Sequence, residues 1–180
     1  MFKKLFGAGK PEPLQTRLDP RFTDGSLSEF FIKVSAAKID GVMGDWGDLK
    51  PAGTVIAVTA FGDLFVTDAD GNVAMLDTIE GKLNPVAESP EQLLALLEDE
   101  QKQDELLLAG FVLGARSDGK TLGEGECYDF TPPPILGGPM TPENFEVTDF
   151  VVKMSIAGQI FVQVKDLPPG TKIGEIKITD

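Results

Sequence analysis

Histidine is absent from this chain, and its absence removes more chemistry than any single residue present supplies. Without imidazole there is no Ser–His or Cys–His nucleophile pair and no His-ligated zinc. There is also no side chain whose ordinary pKa sits near neutrality. Cysteine is nearly absent too. Cys127 stands alone, so no internal disulfide forms, and cysteine-rich metal sites and redox pairs are excluded. A lone thiol suits a reducing cytosol. No G-x-G-x-x-G dinucleotide fingerprint occurs. No apolar run approaches the ~20 residues of a membrane span. The opening Met1-Phe2-Lys3-Lys4-Leu5-Phe6-Gly7-Ala8-Gly9 is too short in apolar residues for a signal peptide and reads as a flexible terminus. We find no internal repeat.

Basic residues are scarce where acidic ones are dense. The chain has 180 residues and a net charge of −13. Residues 63–149 hold 19 of the 29 acidic residues and only four basic ones, Lys82, Lys102, Arg116 and Lys120. Such a region repels phosphate and anionic lipid, so nucleic acid and membranes are not expected as direct partners. It attracts a basic protein and speeds the encounter. A role in solubility alone explains the same charge. The length suits one domain with a core of its own, and 42 % apolar with 25 % charged residues is ordinary for a globular protein.

Along the chain, residues 1–25 read as a loosely held lead-in, and 26–180 as a single α+β domain. Ser26-Leu27-Ser28-Glu29 fits a capping box, which predicts a helix over 27–38. Trp46, between Asp45 and Asp48 and among glycines, reads as exposed. Residues 55–60, 62–67 and 73–78 are rich in β-branched and apolar residues, and Asp68-Ala69-Asp70-Gly71-Asn72 joins the last two as a hairpin turn. Residues 83–87 supply a further short strand. This antiparallel β-meander needs helices to cover its apolar face. Ser89-Pro90-Glu91 starts a helix, with serine as cap and proline at the first helical position. Glu98-Asp99-Glu100 interrupts, and a second helical stretch runs from Leu106 to Leu113. Residues 131–139 form a stiff loop of proline and glycine, and 143–147 a short strand. Residues 149–164 suit helix or strand. Asp149 as a cap, with Phe150, Met154, Ala157 and Phe161 at helical spacing, favours helix. Residues 172–179 alternate and predict a tail strand.

Three patterns invite chemistry. Asp68 to Asn72 resembles the start of a calcium loop, but Ile79 stands where the twelfth-position glutamate belongs, so no metal is expected. Glu124, Glu126 and Asp129 offer paired carboxylates for hydrolysis, but a solvated acidic loop is the preferred reading. Cys127 has no identifiable base and reads as structural. The chain is therefore expected to bind a protein rather than to catalyse a reaction, and to need no cofactor.

Several segments together resemble a known family. They are Gly62-Asp63-Leu64-Phe65, then Asp70-Gly71 with Leu76-Asp77, and Ser89 opening a leucine-rich acidic helix. The most specific part is Gly125-Glu126-Cys127-Tyr128-Asp129-Phe130-Thr131-Pro132-Pro133-Pro134-Ile135-Leu136-Gly137-Gly138. Gln159 and Asp166-Leu167-Pro168-Pro169-Gly170-Thr171-Lys172-Ile173 complete the set. Over residues 54–173 the chain resembles the C-terminal domain of type VI secretion immunity proteins of the Tdi type. The resemblance implies a non-catalytic antitoxin with a SUKH-like α+β fold, working in the bacterial cytoplasm. It implies a cognate toxin as partner, often a DNase, which makes a basic surface the expected target. The partner-binding candidates are Asp99, Glu100, Asp104, Glu105, Glu124, Glu126 and Asp129, with Trp46 as an aromatic anchor. Gly62, Asp63, Cys127, Tyr128, Phe130, Pro132, Gly137 and Gly138 read as residues that fix the fold. A general scaffold module and a carboxylate hydrolase are the competing functions.

Overall fold

The computed structural model describes residues 12–168 and 170–179, so the lysine-bearing start lies outside the described residues. The fold is α+β. A five-stranded sheet runs in the order β1 (Gln15–Thr16), β2 (Thr54–Val58), β3 (Leu64–Thr67), β4 (Val73–Asp77), β5 (Lys82–Ala87). β2 to β5 form the expected antiparallel meander, and β1 joins its edge in parallel. The β3–β4 turn is local chemistry. The Asp68 carboxylate accepts from the amides of Asp70 and Asn72 at 2.9 Å each, which closes the hairpin on its own backbone.

Both faces of the sheet are covered. Alternate residues of β3 and β4 belong to different cores: Phe65, Val73 and Met75 to one, Leu64, Val66 and Leu76 to the other. The first core is closed by α3 (Pro90–Leu96), α4 (Glu100–Leu107) and α5 (Ala109–Ser117) through Leu93, Leu107 and Val112. The second is closed by α2 (Ala36–Val42), a 3-10 stretch over Met43–Leu49, and α6 (Phe150–Val164). A separate two-stranded ladder, β6 (Glu126–Phe130) with β7 (Phe145–Asp149), bridges the two cores. Tyr128 and Phe130 enter the first, while Cys127 enters the second. The helix expected over 149–164 forms, and the Asp149 carboxylate accepts from the amides of Val151 (2.8 Å) and Val152 (3.2 Å).

Four expectations fail for stated reasons. Residues 12–25 are not a loose lead-in: β1 pairs with β2, and α1 (Pro20–Thr23), capped by Asp19, places Phe22 fully inside the first core. The helix predicted over 27–38 does not form. Ser28–Phe30 makes one 3-10 turn, and the chain then runs extended, with Ile32 donating to the Val58 carbonyl and the Phe30 carbonyl accepting from Ala60. Phe31 and Ile32 thereby enter opposite cores, which a helix cannot arrange for neighbours. Residues 126–130, read as an acidic loop, are a strand because β7 supplies a partner. Residues 172–179 form no ladder with another strand among the described residues.

Candidate protein-interaction surface

α4 carries the densest exposed acid. Glu98, Asp99, Glu100, Asp104 and Glu105 are all exposed. Leu107 is the one residue of α4 that is fully buried, so the helix turns most of its surface outward. Several of these carboxylates also hold the helix in place. The Asp99 carboxylate caps α4, accepting from the Lys102 amide at 3.0 Å. Glu105 meets the Lys102 ammonium at 2.6 Å. Asp104 accepts from the Gly110 amide at 2.9 Å. That last bond has a geometric cause. Leu108 separates α4 from α5 in the left-handed region, φ 52°, and offers the first turn of α5 no side-chain cap, so Asp104 supplies the acceptor. Glu98 and Glu100 make no ion pair among the described residues.

The second acidic group is arranged differently. Glu124 is exposed and lines a 460 Å³ groove with Glu29, Lys33 and Arg116, so its surroundings are mixed in charge. Glu126 is half-buried and accepts from the Gly123 amide at 2.7 Å. Asp129 is half-buried, its carboxylate 3.9 Å from the Lys153 ammonium. Burial raises the Asp129 carboxyl above the ordinary range, partly opposed by Lys153. Successive side chains of a strand alternate, so Glu126 and Asp129 leave opposite faces of β6. They do not converge as an acid–base pair.

The motif residues build a buried polar lock. Gly62 turns the chain at φ 84°, and the following Asp63 is buried. Its carboxylate accepts from the Thr59 hydroxyl (3.0 Å), the Thr78 amide (2.8 Å) and the Thr78 hydroxyl (2.7 Å). Lys153, buried on α6, donates to the Thr78 hydroxyl at 3.0 Å and to the Phe61 carbonyl. Asp63 and Lys153, linked through Thr78, tolerate burial because their polar atoms are matched, and no buried side-chain donor or acceptor is orphaned among the described residues. Gly138 has a steric reason, because a Cβ there would lie 1.8 Å from the Pro132 carbonyl oxygen. Pro132 follows a cis peptide, and Gly137 adopts φ 91° at the end of the loop's 3-10 turn. Tyr128 is buried, with its hydroxyl donating to the Lys120 carbonyl at 2.6 Å.

Trp46 overturns its expectation. It is fully buried, its indole N–H donates to the Met154 carbonyl at 3.1 Å, and its ring lies 5.6 Å from that of Phe161. Gly158 on α6 leaves the slot, since a Cβ there would stand 2.8 Å from the indole. It is a core residue and not an interface anchor.

Residues 114–121 spell G-x-x-x-x-G-K-T, the consensus of a phosphate loop. That chemistry needs the loop between a strand and the start of a helix, with free amides facing the ligand. Here the segment ends a helix instead. Gly119 donates to the Arg116 carbonyl and Lys120 to the Ala115 carbonyl, so the amides are spent on the C-terminus of α5. The Lys120 ammonium donates to the Phe145 carbonyl at 3.0 Å. No group of three or more metal-ligating side chains occurs among the described residues, and no helix is long and apolar enough to cross a membrane.

A known family and a solved structure are similar to this chain. The structure, Atu4351 from Agrobacterium tumefaciens, is 18 % identical over 79 % of this chain and 76 % of its own, with a TM-score of 0.42. No curated protein matches. The family described as T6SS immunity protein Tdi1, C-terminal, matches residues 87–161. That stretch is shorter than the 54–173 of the resemblance and leaves out Gly62 and Asp63, but it holds α3 to α5, the β6–β7 ladder and most of α6. Over residues 87–161 this chain is similar to the type VI secretion immunity protein Tdi1 family, the one to which its E-C-Y-x-F, triple-proline and L-G-G residues point.

Proposed function

We propose that this chain is an immunity protein that binds a secreted type VI toxin in the cytoplasm of the producing cell and neutralises it there. The observation that carries this reading is the family match over residues 87–161. The acidic α4 lies inside that stretch, and its exposed carboxylates supply the chemistry of the contact. A toxin that cuts DNA must hold phosphate in a basic cleft, and an inhibitor presenting Glu98, Glu100 and Glu105 is steered toward such a cleft. Carboxylate–Arg or carboxylate–Lys pairs desolvated at the centre of the contact then slow dissociation. A nuclease is therefore the toxin class that this surface fits best. Inhibition requires no catalysis, and the divergent directions of Glu126 and Asp129 fit a binding role.

The test is co-expression with the toxin encoded beside this gene. Growth is expected to be restored, and the two chains are expected to co-elute on size-exclusion chromatography. Continued killing at matched expression, with no complex formed, ends the proposal.

A further inference from the structure

The surface of α6 carries a second device, independent of the immunity reading. Two glutamines one helical turn apart, Gln159 and Gln163, each grip one residue of the C-terminal segment through both of its backbone groups. The Gln163 amide donates to the Lys177 carbonyl (2.8 Å), and its oxygen accepts from the Lys177 amide (3.1 Å). Gln159 repeats the pattern on Thr179, at 3.0 and 2.7 Å. A primary amide offers both a donor and an acceptor, so each side chain bonds a residue as a neighbouring β-strand does. The spacing matches as well. Four helical residues rise about 6 Å, and two extended residues span about 6.7 Å.

Both amides are held ready by the fold. The Ser155 hydroxyl donates to the Asp45 carboxylate at 2.6 Å and accepts from the Gln159 amide at 3.1 Å. The Gln163 amide also donates to the Gln159 backbone carbonyl at 2.8 Å. The occupant is held lightly by contrast. Ile176 packs against the second core, whereas Ile173 and Ile178 are 38 % and 45 % exposed. The grip reads the backbone, one apolar side chain and the Thr179 hydroxyl, which donates to the Gln159 oxygen at 3.1 Å, and so makes a modest demand on sequence.

We infer that Gln159 and Gln163 form a binding site for an extended peptide, and that the chain's own residues 176–179 are its resting occupant, exchangeable for another segment of the same shape. The ligand class is a β-conformation peptide with alternate N–H and C=O groups free and an apolar residue ahead of them. The tethered tail competes through its high effective concentration.

The experiment uses the full chain and a fluorescent peptide with the sequence of residues 171–180. Proline at 177 and 179 removes both donors from the tethered tail. The variant Lys177→Pro with Thr179→Pro is expected to bind the peptide at least about tenfold more tightly than the unaltered chain. Adding Gln159→Ala and Gln163→Ala is expected to abolish that gain. Equal binding by unaltered and proline chains, or an undiminished gain in the alanine chain, overturns the inference. Hydrogen exchange on the unaltered chain decides the matter even if a variant misfolds. The amides of Lys177 and Thr179 are expected to exchange at least about tenfold more slowly than those of Ile176 and Ile178. Equal exchange across the four overturns the site.

Discussion

Cys127 shows how far position outweighs identity. Its thiol is fully buried, and burial pushes its pKa up to about 12, so almost no thiolate exists at neutral pH. A thiol reagent is expected to leave the native protein unlabelled at mildly alkaline pH and to modify one thiol per chain in denaturant. Stoichiometric labelling of the folded protein contradicts this environment. Asp129 offers a pH test. Burial holds its folded pKa above the unfolded value despite Lys153. The unfolded chain therefore gives up that proton first, and the stabilising effect of the protonated carboxyl is full below the unfolded pKa and fades as pH rises through the raised one. Asp129→Asn cannot ionise. Its melting temperature relative to the unaltered protein is expected to climb as pH rises from below the ordinary aspartate range through the raised pKa, and a flat difference rejects the assignment.

Among the elements, the α4–α5 joint rests on one carboxylate. Asp104→Ala leaves the Gly110 amide without its acceptor and is expected to cost about 1 kcal/mol in denaturant unfolding. Asp104→Asn keeps an acceptor and is expected to recover most of that. The same joint marks what the sequence conceals. A leucine run from 106 to 108 reads as continuous helix, and nothing local announces that Leu108 turns left-handed. Elements whose cause is local were legible: the Asp68 turn, the Ser89 cap with Pro90, and α6 behind Asp149. Those whose cause is distant were not. Phe30, Phe31, Val34 and Ala37 suit helical spacing until Val58, Thr59 and Ala60, far along the chain, draw Phe30, Phe31 and Ile32 into extended pairing. β6 hides behind its acidic residues because its partner β7 begins only after the proline loop. Trp46 looks solvated beside Asp45 and Asp48, and only Met154 and Gly158, more than a hundred residues on, make it a core residue. Of the site, the acidic residues 98–105 could be read from the sequence but not their helix, since the second helical stretch was expected only from Leu106 whereas α4 spans Glu100–Leu107, and the two-glutamine grip needed the tail's course.

For the molecule as a whole, charge predicts kinetics. If α4 steers the toxin, Glu98→Lys with Glu100→Lys and Glu105→Lys is expected to slow association about tenfold at low salt while changing dissociation much less. The gap is expected to narrow as salt screens the field. Stopped-flow mixing across a salt series measures this, and a loss confined to dissociation places the contact elsewhere.

A last consequence follows from how little of α4 is anchored. The sheet and both cores stand without help from Glu98, Glu100 or Gln101, whose side chains face water. Substitution there meets almost no folding penalty, since surface changes away from packed or bonded groups usually stay within about 0.5 kcal/mol. If α4 is the contact surface, that face is free to drift residue by residue as the partner's surface changes, while Asp99, Asp104 and Leu107 keep the ridge in register. On that condition, a lineage of such chains acquires new targets without having to discover a new fold.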